Sequence, residues 1–405
     1  MPVSIHRRRL ETFAAAVERH HVVPRLYIAS LCLVYLMWNI WLARAVYVFA
    51  VMPLALCLVR RSDLKPILAS PLFSLAALYF GLLSLAALAA PDASALPIAK
   101  HVMYALQVLS FLAITALLIR RDRDFPKWLF LFLSSAAAIA AAINLVAFCV
   151  KYPHALLSQQ LAGVQGISMY YNTNVLGDVY AMACAGGFAL LAGQRLSRPQ
   201  LIVALSATLM LLLAIGLVMS RGAIMATMAA ALVALLLSGG WHRRLPILAA
   251  LAATLLLLAL ATPIPHLLLS RGDAFRLSLW PVYLDLAAQR PWLGYGLSFD
   301  THVALPNGYL ILNAHNIVLS ALIRGGLLSA AALVAMLAAA VYRAWRSWFA
   351  EQNLFAPVLL AAAIAATSVD YEILATPLGW PWLLLWLPVG LSFATAAGGR
   401  GQMGR

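Results

Sequence analysis

About a dozen apolar runs, most of them near twenty residues long, follow one another along the 405 residues with short polar breaks between them. At ~1.5 Å per residue, a helical run of that length crosses the ~30 Å hydrocarbon layer of a membrane. Inside that layer every backbone N–H and C=O must bond within the protein, which a helix achieves by itself. The chain is therefore expected to be an all-α, polytopic integral membrane protein. Composition closes the alternative: 64% of the residues are hydrophobic and only 10% are charged, too few to cover a water-soluble core.

The runs predict twelve spans, at 26–43, 45–59, 67–90, 96–119, 128–150, 174–193, 201–218, 222–238, 245–262, 316–342, 354–368 and 380–397. An even number puts both termini on one side. If that side is the cytoplasm, it collects Arg7, Arg8, Arg9, Arg19, Arg25, Arg60, Arg61, Lys65, Arg120, Arg121, Arg123, Lys127, Arg195, Arg198, Arg243, Arg244, Arg343, Arg346, Arg400 and Arg405. Those are twenty of the 28 basic residues, the bias that orients membrane proteins. The expected organisation is a cytoplasmic amphipathic segment at 1–25, nine spans over 26–262, a large outer-face loop at 263–315, three spans over 316–397 and a cytoplasmic tail at 398–405. The Arg-rich start lacks a small-residue cleavage site, so the first apolar run is expected to be retained.

The net charge of +15 does not indicate nucleic acid, because the basic residues lie in short clusters between apolar runs. Cys32, Cys57, Cys149 and Cys184 fall in or beside apolar runs and read as small buried hydrophobes. Two connections on the outer face exceed a turn, about 151–173 and 263–315. Prolines prevent the second from being one helix. Within it, 276–290 is expected to be a short helix resting at the membrane surface, and Trp292-Leu293-Gly294-Tyr295-Gly296 a turn.

Eight cations break the orientation bias: Arg44, Lys100, Lys151, Arg221, Arg271, Arg276, Arg290 and Arg324. One stray arginine snorkels to headgroups, but several on the disfavoured face suggest an anionic ligand whose phosphate oxygens fit the guanidinium fork. Arg221 is the sharpest instance, with no other charge within twenty residues on either side. His315 lies where the long loop meets the tenth span, a mounting for a base or a substrate hydrogen bond, with Asn313 a possible N-cap. Arg324 is nine residues on, about 2.5 helical turns, and should face away from His315. Asp370 and Glu372 are candidates to orient His315 or balance an arginine. No carboxylate or histidine spacing suits a metal ion, so neither metal nor cofactor is expected.

In order, Ser220-Arg221-Gly222-Ala223, then Arg276 to Trp280 with Pro291 to Gly296, then Ala314-His315-Asn316 leading to Gly325-Gly326-Leu327, resemble the bacterial O-antigen ligase and polymerase superfamily over about 200–330. His315, Asn316 and Gly326 fit the ligase pattern, and Ser329 departs from it at the last position. The resemblance implies a GT-C-like membrane glycosyltransferase of the inner membrane with a periplasmic active site. It implies transfer of O-antigen glycan from undecaprenyl pyrophosphate to a sugar hydroxyl of lipid A-core, among membrane lipids. It further implies that Arg221 and Arg276 hold the pyrophosphate and that His315 activates or positions the acceptor. Arg290, Arg271, Asn316, Asp370 and Glu372 are expected around the substrates. A single in-line displacement would invert the anomeric carbon. An O-antigen polymerase with the same donor is the nearest alternative. A lipid or anion transporter, of a different class, would call for matching halves and midplane charges, which the sequence lacks.

Overall fold

A computed structural model of the protein describes residues 17–18, 20–37, 39–90, 94–153, 159–168, 170–260, 276–304, 310–311, 313–370 and 375–394. The helices are α1 (Val22–Leu36), α2 (Trp41–Leu58), α3 (Arg61–Leu68), α4 (Pro71–Leu88), α5 (Ala95–Arg121), α6 (Phe125–Lys151), α7 (Thr173–Gly193) and α8 (Arg198–Val218). Then follow α9 (Arg221–Leu237), α10 (Trp241–Leu260), α11 (Arg276–Gln289), α12 (Ile317–Glu351), α13 (Phe355–Asp370) and α14 (Trp382–Leu391). Each of the twelve predicted runs holds one apolar helix. Eight of these have the length and apolarity to cross a membrane, while α1, α9, α13 and α14 are shorter. The one departure from all-α structure among the described residues is a miniature antiparallel ribbon, Val303–Ala304 against Leu310–Ile311. At the start of the chain the backbone turns at His20–His21, with His21 in the left-handed region, and α1 takes up Arg25.

Small residues set the centre of the bundle. In α7 every side chain from Leu176 to Ala192 is buried, and its most apolar window is 94% buried against 17% for α10. Its Ala- and Gly-rich sequence lets α6, α8, α9 and α13 approach on all sides, the packing mode available where water supplies no drive between helices. A second knot is aromatic: Phe111 packs on Tyr27, Tyr47 and Trp382 with ring centroids 4.8–5.9 Å apart. Two helices widen into a π turn just before a proline that can be tolerated there. Met52 N–H reaches back to the Tyr47 carbonyl ahead of Pro53, and Leu387 N–H to Trp382 ahead of Pro388. At the end holding Arg121, that side chain hydrogen-bonds Asp63 at 2.7 Å and holds its carboxyl below the usual carboxylate range.

The helix α12 is interrupted. Its 35 residues would span about 52 Å, well beyond the hydrocarbon thickness. Gly326 sits at φ 68°, ψ −173°, and the helical ladder breaks there. The turn after α11 enters the break: Tyr295 N–H donates to the Ile323 carbonyl (2.9 Å), Gly296 N–H to Arg324 (2.9 Å), and Leu327 N–H to Pro291 (2.7 Å). Three polar groups released by the broken helix thus find loop partners, as a low-dielectric interior favours. The two backbones touch closely enough that a Cβ on Gly326 would collide with the Trp292 carbonyl, and one on Gly294 with the Ile323 carbonyl. Arg324 completes the lock, donating to the Leu297 carbonyl and to Thr301 Oγ1.

Above the break, α11 runs alongside the first turns of α12. Leu279, Tyr283 and Ala287, spaced along one helical face, form a small separate core with Ala314, Leu319 and Ile323. The helix and turn expected at 276–296 are present, and the helix packs against α12.

Gly326→Ala is expected to cost about 1–3 kcal/mol from backbone strain alone, with more from the collision, and to lower the thermal midpoint in detergent. Gly81→Ala in α4, where a Cβ meets nothing within 4 Å, should leave that midpoint unchanged or raise it.

Candidate active site

Backbone packing brings the two halves of the predicted site to one end of the bundle. Arg221 opens α9, whose N-cap Ser220 accepts from Ala223 N–H at 3.4 Å. A Cβ added to Gly177 would lie 2.8 Å from Ala223 Cβ and 3.0 Å from Ser220 Cβ, so the first turns of α7 and α9 are in contact. Gly193 at the far end of α7 packs on Leu354 at the start of α13, so α13 runs the opposite way and finishes beside Arg221's end of α7. Asn316 Nδ2 then donates to the Ser368 carbonyl near the end of α13 at 3.0 Å, which pins the start of α12 to the same end. Arg221, His315 and Asp370 share that end, although their codons are far apart.

The outer connection at 151–173 closes over the Arg221 turn. Gln160 donates to the carbonyls of Val218 (3.1 Å) and Met219 (3.4 Å), and Leu161 N–H to Leu217 (2.9 Å). Buried Asn144 of α6 holds this strap by both ends of its amide, donating to Ala162 and accepting from Val164. Asp178, in the second turn of α7 beside the Gly177 contact, is 1% exposed. The sequence reading gave it no role. An ionisable group inside an apolar helix is itself a signal of function, and that signal was present at Gly177-Asp178-Val179.

His315 is half-buried and holds φ 48°, a conformation uncommon outside glycine. Asn313 Oδ1 accepts from its N–H at 3.0 Å and fixes the turn. The helix therefore starts three residues later than an Asn313 cap would give: Asn316, extended at φ −156°, accepts from Val318 and Leu319 N–H, both at 3.0 Å. The Asn316 amide thus caps α12 through its oxygen and ties it to Ser368 through its nitrogen. Trp280 Nε1 donates to the Ala314 carbonyl at 3.2 Å, tying α11 to the residue preceding His315. Tyr283 OH donates to Thr301 at 2.6 Å from the same face of α11.

Arg276 is the first residue of α11, one turn before Trp280, so its backbone lies toward the His315 end. Arg290 is at the other end of α11, its guanidinium over the Tyr295 ring at 5.0 Å, and stands apart from that grouping. Arg271 and Glu372 fall outside the described residues, and Asp370 closes α13. Other cations of the disfavoured set have local partners: Arg44 donates to the Leu378 carbonyl at 2.9 Å, and Lys151 lies 5.4 Å from the Tyr152 ring centre.

Residues 205–334 match the family model described as O-antigen ligase. Over 130 residues the chain is 30% identical to the O-antigen ligase of Pseudomonas aeruginosa, an alignment that covers 32% of this chain and 32% of that protein. Both similarities support the O-antigen ligase superfamily, and the matched stretch contains Arg221, the whole of α11 and His315.

Asn316→Ala should lower stability by about 1 kcal/mol for the lost cap and further for the unpaired Ser368 carbonyl. Asn316→Asp keeps the cap acceptor and is expected to lose only the second contribution, a ranking that thermal unfolding of the two variants would check.

Proposed function

We propose that the protein is an O-antigen ligase of the inner membrane, moving a glycan from undecaprenyl pyrophosphate to a sugar hydroxyl of lipid A-core on the periplasmic side. The observation that carries this reading is the convergence at one end of the bundle of the Arg221 turn and the strained His315 helix start, which belong to the matched stretch. Both proposed substrates are lipids with a polar group at the membrane surface, where these helix ends stand.

In this reading, the bond between the anomeric carbon and the pyrophosphate oxygen breaks as the acceptor oxygen attacks from the opposite face. Negative charge builds on the departing diphosphate. Arg221, carried on a helix start whose dipole also favours an anion, and Arg276, carried on the first turn of α11, stabilise that charge. Fixed cations in a partly dry cleft need no reorganisation as the charge develops, which is why they lower the barrier rather than merely bind substrate. The acceptor hydroxyl gives its proton to the His315 imidazole, acting as general base. Asp178 and Asp370 serve to balance and orient these groups. Asn316 and Trp280 position His315 without touching substrate, and Arg290 secures the loop. One displacement gives inversion at the anomeric carbon.

Purified protein is expected to form product from carrier-linked glycan together with lipid A-core, and none from carrier-linked glycan alone. Glycan extension in the second mixture would identify a polymerase instead. Arg221→Ala, Arg276→Ala and His315→Ala should each reduce transfer by roughly 10²–10³-fold or more, with membrane insertion and thermal midpoint retained. Undiminished transfer by all three would remove the site. The anomeric configuration of the product, read by NMR, should be opposite to that of the carrier-linked donor.

A further inference from the structure

The end of the bundle opposite to Arg221 carries a second feature that the proposed transfer does not use. A cleft of about 720 Å³ opens where the start of α6, the end of α7, the α9–α10 turn and the α12–α13 turn come together. Its lining includes four cations, Arg123, Lys127, Arg195 and Arg243, against two carboxylates, Asp124 and Glu351. Among the described residues no carboxylate forms an ion pair with any of the four. Lys127 donates to the Arg195 carbonyl at 3.3 Å, which draws two of these cationic residues together. Gly193 at this cleft and Gly177 beside Arg221 are separated by roughly 24 Å along α7.

A general excess of lysine and arginine on one face needs only solvated, scattered side chains. Four cations drawn from three connections onto one concavity repel each other, and an anion is the species that removes the repulsion. The rim indicates its source. Trp128, Trp241 and Phe349, beside the lining residues, are 41%, 71% and 60% exposed, and Leu245, one turn beyond Trp241, is 63% exposed. Exposed aromatics next to a basic cleft mark the headgroup depth of a membrane, with apolar helix faces continuing below. We propose that this cleft is a binding site for the phosphate of an anionic phospholipid, whose acyl chains lie on the adjoining helix faces. The lipid clamps four connections that share few direct bonds.

The test uses full-length protein in phosphatidylcholine nanodiscs doped with phosphatidylglycerol, released and examined by native mass spectrometry. Wild-type protein is expected to retain phosphatidylglycerol in preference to phosphatidylcholine. Arg195→Ala/Arg243→Ala should lose that adduct by roughly tenfold or more. Arg61→Ala/Lys65→Ala, which removes two exposed cations of the same face outside the cleft, should keep it. Equal retention by both double variants, or equal loss by both, would overturn the site, the second outcome showing diffuse surface attraction. Millimolar inorganic phosphate without anionic lipid is expected to leave the thermal midpoint unchanged. A rise in wild type that Arg195→Ala/Arg243→Ala lacks would make free phosphate the occupant and overturn the lipid assignment. Neither result depends on transfer activity, so failure here leaves the ligase reading standing, and the reverse.

Discussion

A backbone that leaves helical geometry where water is scarce must hand its N–H and C=O groups to another segment, and at Gly326 that requirement organises the outer part of the molecule. The turn from Pro291 to Gly296 supplies the missing partners, so the break in α12 and the end of α11 become one backbone-bonded unit. Only glycine at 294 and 326 allows the two chains to meet at that distance. From this lock α11 lies along α12, the small core of Leu279, Tyr283, Leu319 and Ile323 forms between them, and Trp280 reaches the carbonyl before His315. The position of the candidate base is thus set by contacts some three turns deeper in the fold.

The Arg221 side depends on close approach rather than on a break. Gly177 admits Ser220 and Ala223, and the Gln160 strap ties down the C-terminal carbonyls of α8. Both devices place charged or titratable side chains at helix starts, where the helix dipole favours anions. The opposite end of the same α7 core finishes in a cleft lined by four cations, so cationic side chains lie toward both polar ends while the interior between them is made of alanine, glycine and aromatic packing.

The helices were legible because hydrocarbon imposes one solution on any long apolar run, and their predicted limits fall close to the observed ones, as at 174–193 against Thr173–Gly193. The helix at 276–290 was legible from its composition and its flanking turn. Its resting place was not, because the pairing of Tyr295 and Gly296 with Ile323 and Arg324 is a backbone matter that leaves almost no mark on side-chain type. Asn313 and Asn316 show the same limit: either residue can cap a helix, and the positive φ of His315 between them decides which one does. Arg290 is expected near the substrates from its position on the disfavoured face, and the structure places its guanidinium over the Tyr295 ring at the far end of α11 from Trp280.

The amino-acid sequence by itself determined that this chain lives in a membrane, where its helices run, and which arginines and histidine are costly enough there to need a purpose. Those properties follow from transfer free energies, which are local and nearly additive along the chain. The tertiary structure alone decided that the starts of α9 and α12 lie toward the same end, that Asp178 is buried next to the Gly177 contact with the Ser220 turn, and that Asn316 and Arg324 hydrogen-bond distant backbone segments. These depend on which small residues allow which helices to touch, and contact between distant segments is a cooperative property that no single stretch of the chain contains.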